Sequence, residues 1–170
     1  MPELLDLVLQ AHGGLERWTE FDRVRAMFLS GGGLLPLKGL EVPPKAVEGV
    51  ASIHEERTVI EGYRRPDWRM IFTPERVAIE TMEGRQLVEE RRNARESFAG
   101  HSLATPWDLM QVAYFNGYAR RTYLTTPFFI AMPGFHVTEI EPWKEGSEQW
   151  RVLRVDFPAS IARNRPSQAR

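Results

Sequence analysis

The chain has 170 residues, 42% of them hydrophobic and 26% charged, with a net charge of -1. That length suits one domain that buries about two-thirds of its extended surface, and the near-neutral charge gives no general pull toward nucleic acid or an anionic membrane. There is no cysteine, which excludes disulfides, thiolate nucleophiles and cysteine-ligated zinc.

The N-terminus, MPELLDLVLQAHGG, has acids inside its apolar run and no basic leader. It therefore reads as a helix and not as a signal peptide. No apolar run is long enough to span a membrane, and the expected compartment is the cytoplasm. Pro2 suits a first helical turn, and Leu4, Leu5, Val8, Leu9 and Ala11 recur on one helical face. Gly13-Gly14 ends the helix, because glycine accepts the left-handed conformation there. Leu15 to Trp18 reads as a second short turn.

From Arg23 the period changes to two, with Val24, Ala26 and Phe28 on one side of a half-buried strand. Gly31-Gly32-Gly33 breaks or bulges it, and Pro36, Pro43 and Pro44 mark an irregular connection. Further strands are predicted at 47–54, 57–62 and 68–72. Residues 76–81 pair with 86–91 across a turn containing Glu83-Gly84. A last hairpin joins 135–141 to 149–157 around Lys144-Glu145-Gly146-Ser147, with Leu153, Val155 and Phe157 on one face. Consecutive hairpins with one polar and one apolar face make an antiparallel sheet. The expectation is one domain over residues 1–162, followed by a polar, unpaired tail at 163–170. The strand before that tail would be a sheet edge open to pairing with a second copy, giving a homodimer.

The segment from Thr105 to Phe129 holds seven of the eighteen aromatic residues. Thr105 is a suitable N-cap, Pro106 a suitable first helical residue, and Asp108 adds favourable charge at the positive helix end. Trp107, Met110, Tyr114 and Tyr118 form a stripe at helical spacing, while Leu109, Val112, Ala113 and Phe115 cover much of the rest. Such a helix is buried. Asn116-Gly117 offers a cap or kink before residues 118–124. The rings either fill the core or line an apolar hollow. In the second case Trp107, Met110, Tyr114, Phe115, Tyr118, Tyr123 and Phe128 are the ligand-binding candidates, with tyrosine hydroxyls available to a hydrophobic small molecule.

Chemical candidates are few. His12, His54, His101 and His136 lack metal-ligand spacing, so no metal site and no cofactor are expected. His54 beside Glu55-Glu56 comes nearest, but alternate strand residues face opposite ways. His101 and Asp108 would form an acid–base pair if the intervening loop folds back, with Tyr114 as a further candidate. The plainer reading is a loop histidine and a capping aspartate. Ser102 has no Gly-x-Ser-x-Gly setting. The three glycines lack the Gly-Lys-Ser/Thr or helix start of a phosphate loop. The pairs Arg64-Arg65, Arg91-Arg92 and Arg120-Arg121 read as solvated strand faces.

The run of HGGLERW, GGGL, FTPERVAIET, ATPWD, AYFNGYA, YLTTPF, EIEPW and WRVLRVDFP, across nearly the whole chain, resembles a family of uncharacterised bacterial proteins with the lipoprotein-localisation-factor type of fold. The resemblance implies an α+β architecture. A strongly curved antiparallel sheet, a half-open barrel, would be closed on its concave side by the N-terminal helix and the aromatic helix. Related folds hold lipid or acyl chains in an apolar hollow. Without a signal peptide or a lipid-anchored cysteine, lipoprotein transport is not the expected role. The family pattern continues with more strands beyond FPASIARNRPSQ, which would make this a shortened member. Three functions follow as expectations: a binding module for a lipid-like molecule, an enzyme using the same pocket, or an interaction module acting through a sheet edge.

Overall fold

Short strands joined by tight turns, each half apolar, pair most economically with their sequence neighbours. The computed structural model, which describes residues 1–161, follows that rule. The tail expected at 163–170 lies outside the described residues. Six strands, β1 (Arg23–Phe28), β2 (Val47–Ser52), β3 (Thr58–Glu61), β4 (Trp68–Phe72), β5 (Arg76–Thr81) and β6 (Leu87–Arg92), form an antiparallel sheet in chain order. Two more, β7 (His136–Glu145) and β8 (Glu148–Asp156), make a separate hairpin. With four α-helices the class is α+β, as expected. Among the described residues no helix is long and apolar enough to cross a membrane.

The register decides which face is buried. Phe72 stands opposite Thr58 and Val77, and Met70 opposite Ile60 and Ile79. These six residues therefore share one face, and all are fully buried. The other face carries cross-strand ion pairs instead: Arg25–Glu48, Arg69–Glu80 and Arg76–Glu90.

The aromatic helix, α4 (Leu109–Thr125), lies on the apolar face and touches all six strands. Met110, Val112, Ala113 and Tyr114 are buried there against the sheet residues, and the Tyr114 ring packs 5.5 Å from Phe72 and 5.8 Å from Phe98. Full burial of each large side chain contributes about 1.5–3 kcal/mol.

The helix begins three residues later than a Thr105 cap implies. Asp108 is the N-cap: its carboxylate accepts from the Gln111 amide, while the Gln111 side chain accepts from the Asp108 amide. This reciprocal box satisfies two otherwise orphaned donors. Thr105 is occupied elsewhere, its hydroxyl accepting from the Ser102 amide and its carbonyl from Lys38. Nor does Asn116-Gly117 cap the helix, which runs unbroken to Thr125. A Cβ at Gly117 would sit 2.3 Å from Cβ and Cγ of Phe72. The Thr58 hydroxyl also donates to the Gly117 carbonyl at 2.9 Å. The glycine is there for close approach to the sheet.

The glycine-rich connection does not bulge the sheet. β1 has ended at Phe28, and the loop leads into a short helix, α3 (Leu34–Leu37), where an irregular connection was expected. Lys38, just beyond it, is buried at 4% exposure. Its ammonium donates to the carbonyls of Ser102 (3.2 Å), Leu103 (2.5 Å) and Thr105 (3.2 Å) and lies 4.9 Å from the Trp107 ring. All three of its donors are used.

A second, smaller core joins the N-terminal helix to the β7–β8 hairpin. Helix α1 (Glu3–Ala11) stops at Gly13-Gly14, as expected. The Gly14 amide bonds to Leu9 and the Gly13 amide to Gln10, and Gly13 has φ +101°. Pro2 stands at its N-cap, one position before the first turn. Leu5 and Leu9 of α1 pack with Phe128, Trp18 of α2 (Leu15–Thr19), and Val137 and Leu153 of the hairpin. Phe129, Phe135 and Phe157 form a further cluster, with ring centroids 4.7–5.7 Å apart.

The substitution Gly117→Ala tests the closest contact. Helix propensity favours alanine by about 1 kcal/mol, but the added methyl meets the base of the Phe72 side chain, which cannot swing away. The expected net effect is a loss of about 1–3 kcal/mol, measured as a lower urea midpoint at unchanged m-value.

Candidate functional site

The predicted candidates divide among three places. Trp107, Met110 and Tyr114 are core residues, at 7%, 0% and 1% exposure. Tyr118 is half-buried between Tyr114 and Phe115, with both ring centroids at 5.5 Å. Phe128 belongs to the second core, stacked on Trp18 at 4.4 Å. Phe115 and Tyr123 line a cleft beside α4. Beneath the centre of α4, then, the rings are packed core, and the open space lies beside the helix.

His101 and Asp108 are linked through Gln111 rather than joined directly. The Gln111 side-chain nitrogen donates to the Ser97 carbonyl at 2.8 Å and lies 3.5 Å from His101 Nε2. His101 Nδ1 is buried without a hydrogen-bond partner, and the ring packs 5.7 Å from Phe98. Asp108 caps α4 and pairs with Arg91 at 2.9 Å. Partial burial pushes its carboxyl up, but bonds from Arg91 and the Gln111 amide more than offset this and hold it below the ordinary range. An ionised cap bound to arginine makes a poor proton carrier at neutral pH. Among the described residues no three His, Asp or Glu side chains gather as a metal shell.

The cleft has a volume of about 260 Å³. The end of β1 and the following loop supply Phe28, Leu29 and Ser30, α3 supplies Leu34 and Leu35, and α4 supplies Phe115, Asn116, Ala119, Arg120 and Tyr123. Leu29 and Tyr123 form its outer rim, at 72% and 70% exposure. An apolar wall with a few polar groups at one end is the ordinary form of a small-molecule site.

The polar end is built on Arg120, which is not a solvated strand residue as its sequence pairing suggested. It is 6% exposed on α4. Its guanidinium lies 5.0 Å from the Phe28 ring, and Nη2 is 3.5 Å from the Ser30 hydroxyl. Nη1 is buried with no hydrogen-bond partner. Among the described residues no carboxylate pairs with it. Burial lowers its pKa, with the nearby Tyr63 phenol opposing, yet an arginine stays charged throughout the ordinary range. Tyr63 is itself 3% exposed. Burial raises its pKa, and its hydroxyl accepts from the Asn116 amide at 3.2 Å. The phenol therefore remains neutral and does not balance the guanidinium. Desolvating such a cation costs several kcal/mol, and the cation–π contact returns roughly 0.5–2 kcal/mol.

Arg121, its neighbour, is 2% exposed but served differently. Nε donates to the Glu55 carbonyl at 3.0 Å, Nη2 approaches Met132 sulfur at 4.0 Å, and the guanidinium lies over the Phe129 ring. Burial lowers its pKa, opposed by Glu56. It ties the turn between β2 and β3 to the helix. The other two arginine pairs do lie nearer solvent, at turns and strand ends, with Arg65 on Asp67 and Arg91 on Asp108. No motif in the sequence marks the cleft; the signal was the placement of two arginines one turn beyond Gly117 in an otherwise apolar helix.

A second depression, lined by Asp22, Arg23, Ser52, His54, Glu55 and Arg57, has a volume of about 490 Å³. It is polar and carries both signs of charge. Compared with known protein families, characterised proteins and solved structures, the chain has no significant match.

The two buried arginines should respond oppositely to the apolar replacement methionine. Arg121→Met leaves the Glu55 carbonyl without its donor and should cost about 1–3 kcal/mol. Arg120→Met removes an unbalanced charge and should leave stability unchanged or raise it. Parallel urea titrations check this, and equal losses in both variants would contradict the unbalanced state of Arg120.

Proposed function

We propose that this chain is a binding module for a small hydrophobic molecule, held in the cleft between the β1–α3 connection and α4. One observation carries the reading: an apolar cleft with exposed rim side chains stands beside a helix whose inner face is otherwise packed solid. The antiparallel meander with a helix on its apolar face also suits a half-barrel of the lipoprotein-localisation type, in which a lipid-like ligand would be at home. In this reading Phe115 and Tyr123 touch ligand, whereas Trp107, Met110 and Tyr114 support the wall behind it.

Catalysis through His101, Asp108 and Tyr114 is the weaker alternative, because Asp108 is engaged by Arg91 and by the helix start. An interaction role has its own support. Among the described residues β8 pairs with β7 alone, and Trp143 and Trp150 face each other across the hairpin at 64% and 53% exposure. An unpaired edge beside exposed aromatics is a ready site for strand addition.

Organic extraction of the purified protein, followed by mass spectrometry, should release an acyl-chain or similar apolar compound. Ala119→Trp, which fills the cleft from its helical wall, should abolish uptake of a fluorescent acyl-chain probe while the protein stays folded. Absence of both extractable ligand and probe binding in the unmodified protein would sink the proposal. The interaction reading predicts a dimer that Trp150→Lys dissociates, seen as a halved mass in sedimentation; a monomer at millimolar concentration counts against it.

A further inference from the structure

We propose that the cleft takes a monoanionic carboxylic acid with a short apolar body, its carboxylate seated on the Nη1–Nη2 end of Arg120 and its body between Phe115, Ala119 and Leu29. The inference rests on the binding reading above and adds the ligand's charge, head group and size.

Charge comes first. Arg120 is more than nine-tenths buried, yet Nη1 has no partner and Nη2 holds only the Ser30 hydroxyl at the 3.5 Å limit. A guanidinium offers two parallel N–H donors from that end, in the spacing a carboxylate accepts. Buried cations are ordinarily paired, as Arg121 is with the Glu55 carbonyl. Among the described residues no Asp or Glu lines the cleft, and Arg120 is its sole cationic wall residue. The site thus lacks one negative charge, which an incoming anion would supply.

The position of the guanidinium is fixed before any ligand arrives. Gly49 lies beneath Phe28, where a Cβ would stand 2.9 Å from the ring. The missing side chain lets the ring lie flat, and Arg120 rests on it at 5.0 Å. Asn116 spends one amide N–H on Tyr63, and the Arg120 and Ser30 donors stand beside it for the head group.

Size and charge number follow from the walls. A volume of 260 Å³ holds on the order of nine water-sized groups, which matches a chain of about eight carbons. One cation balances one negative charge, so a carboxylate fits better than a dianionic phosphate ester.

Titration calorimetry with octanoate, octan-1-ol, octylammonium and octyl phosphate tests this. The unmodified protein should bind octanoate about tenfold or more tightly than octanol, the ordinary effect of a charge-assisted hydrogen bond. Octylammonium should bind most weakly of the four. Arg120→Gln should erase the preference for octanoate and leave octanol unchanged. Equal affinity for octanol and octanoate in the unmodified protein, a comparison that needs no variant, would overturn the anionic assignment while the cleft reading stands. Tighter binding of octyl phosphate than octanoate would overturn the carboxylate. Failure of all four ligands to bind would remove the cleft reading and this inference together.

Discussion

Close approach of α4 to the sheet at Gly117 is the contact on which the remaining arrangement depends. Phe72 occupies the space where a side chain would be, and Thr58 donates a buried hydrogen bond to the glycine carbonyl. A helix pressed so closely cannot rotate without breaking that contact. Residues three and four positions further on share the same side of a helix, so the orientation that brings Gly117 to Phe72 also turns Arg120 and Arg121 inward. Two buried cations are therefore the consequence of one missing side chain.

The protein deals with these cations in different ways. Arg121 finds a backbone carbonyl in the turn between β2 and β3 and becomes a structural tie. Arg120 meets an aromatic ring, a distant hydroxyl and a neutral phenol, and retains an unused donor. Adjacent, chemically identical residues thus take on separate duties because the helix turns about 100° between them. Stability pulls against such a state, and an unbalanced buried charge survives where something outside the fold makes use of it.

Much of this architecture was legible from residue order. Alternation marked the strands, and Gly13-Gly14 marked the end of α1, because both signals act over a few residues. The start of α4 was misread, since Thr105 and Asp108 are both good caps and only tertiary contacts choose between them. The Thr105 hydroxyl and carbonyl were claimed by Ser102 and Lys38. Gly117 looked like a breaker because its reason for being glycine lies 45 residues earlier, at Phe72. The pairing of Arg120 with Arg121 suggested a wet surface for the same cause: local composition does not report how near a helix stands to its sheet. The candidate site suffered most. Of seven aromatic and apolar candidates, Phe115 and Tyr123 line the cleft, while α3 was hidden behind Pro36, which the first turn of a helix tolerates.

Lys38 holds a loop together as a bound cation would, but from within the chain. Its ammonium gathers the carbonyls of Ser102, Leu103 and Thr105 and fastens the segment leading into α4 to the end of α3. Both α3 and α4 contribute residues to the cleft, so this internal cation ties the segment leaving one wall element to the segment entering the other. The fastening is covalently tethered, so it cannot be stripped by a chelator. Nor can it be exchanged for arginine, whose flat fork does not converge three donors on carbonyls arranged around a point. One ammonium group thus does the joining that would otherwise fall to a longer stretch of packed chain.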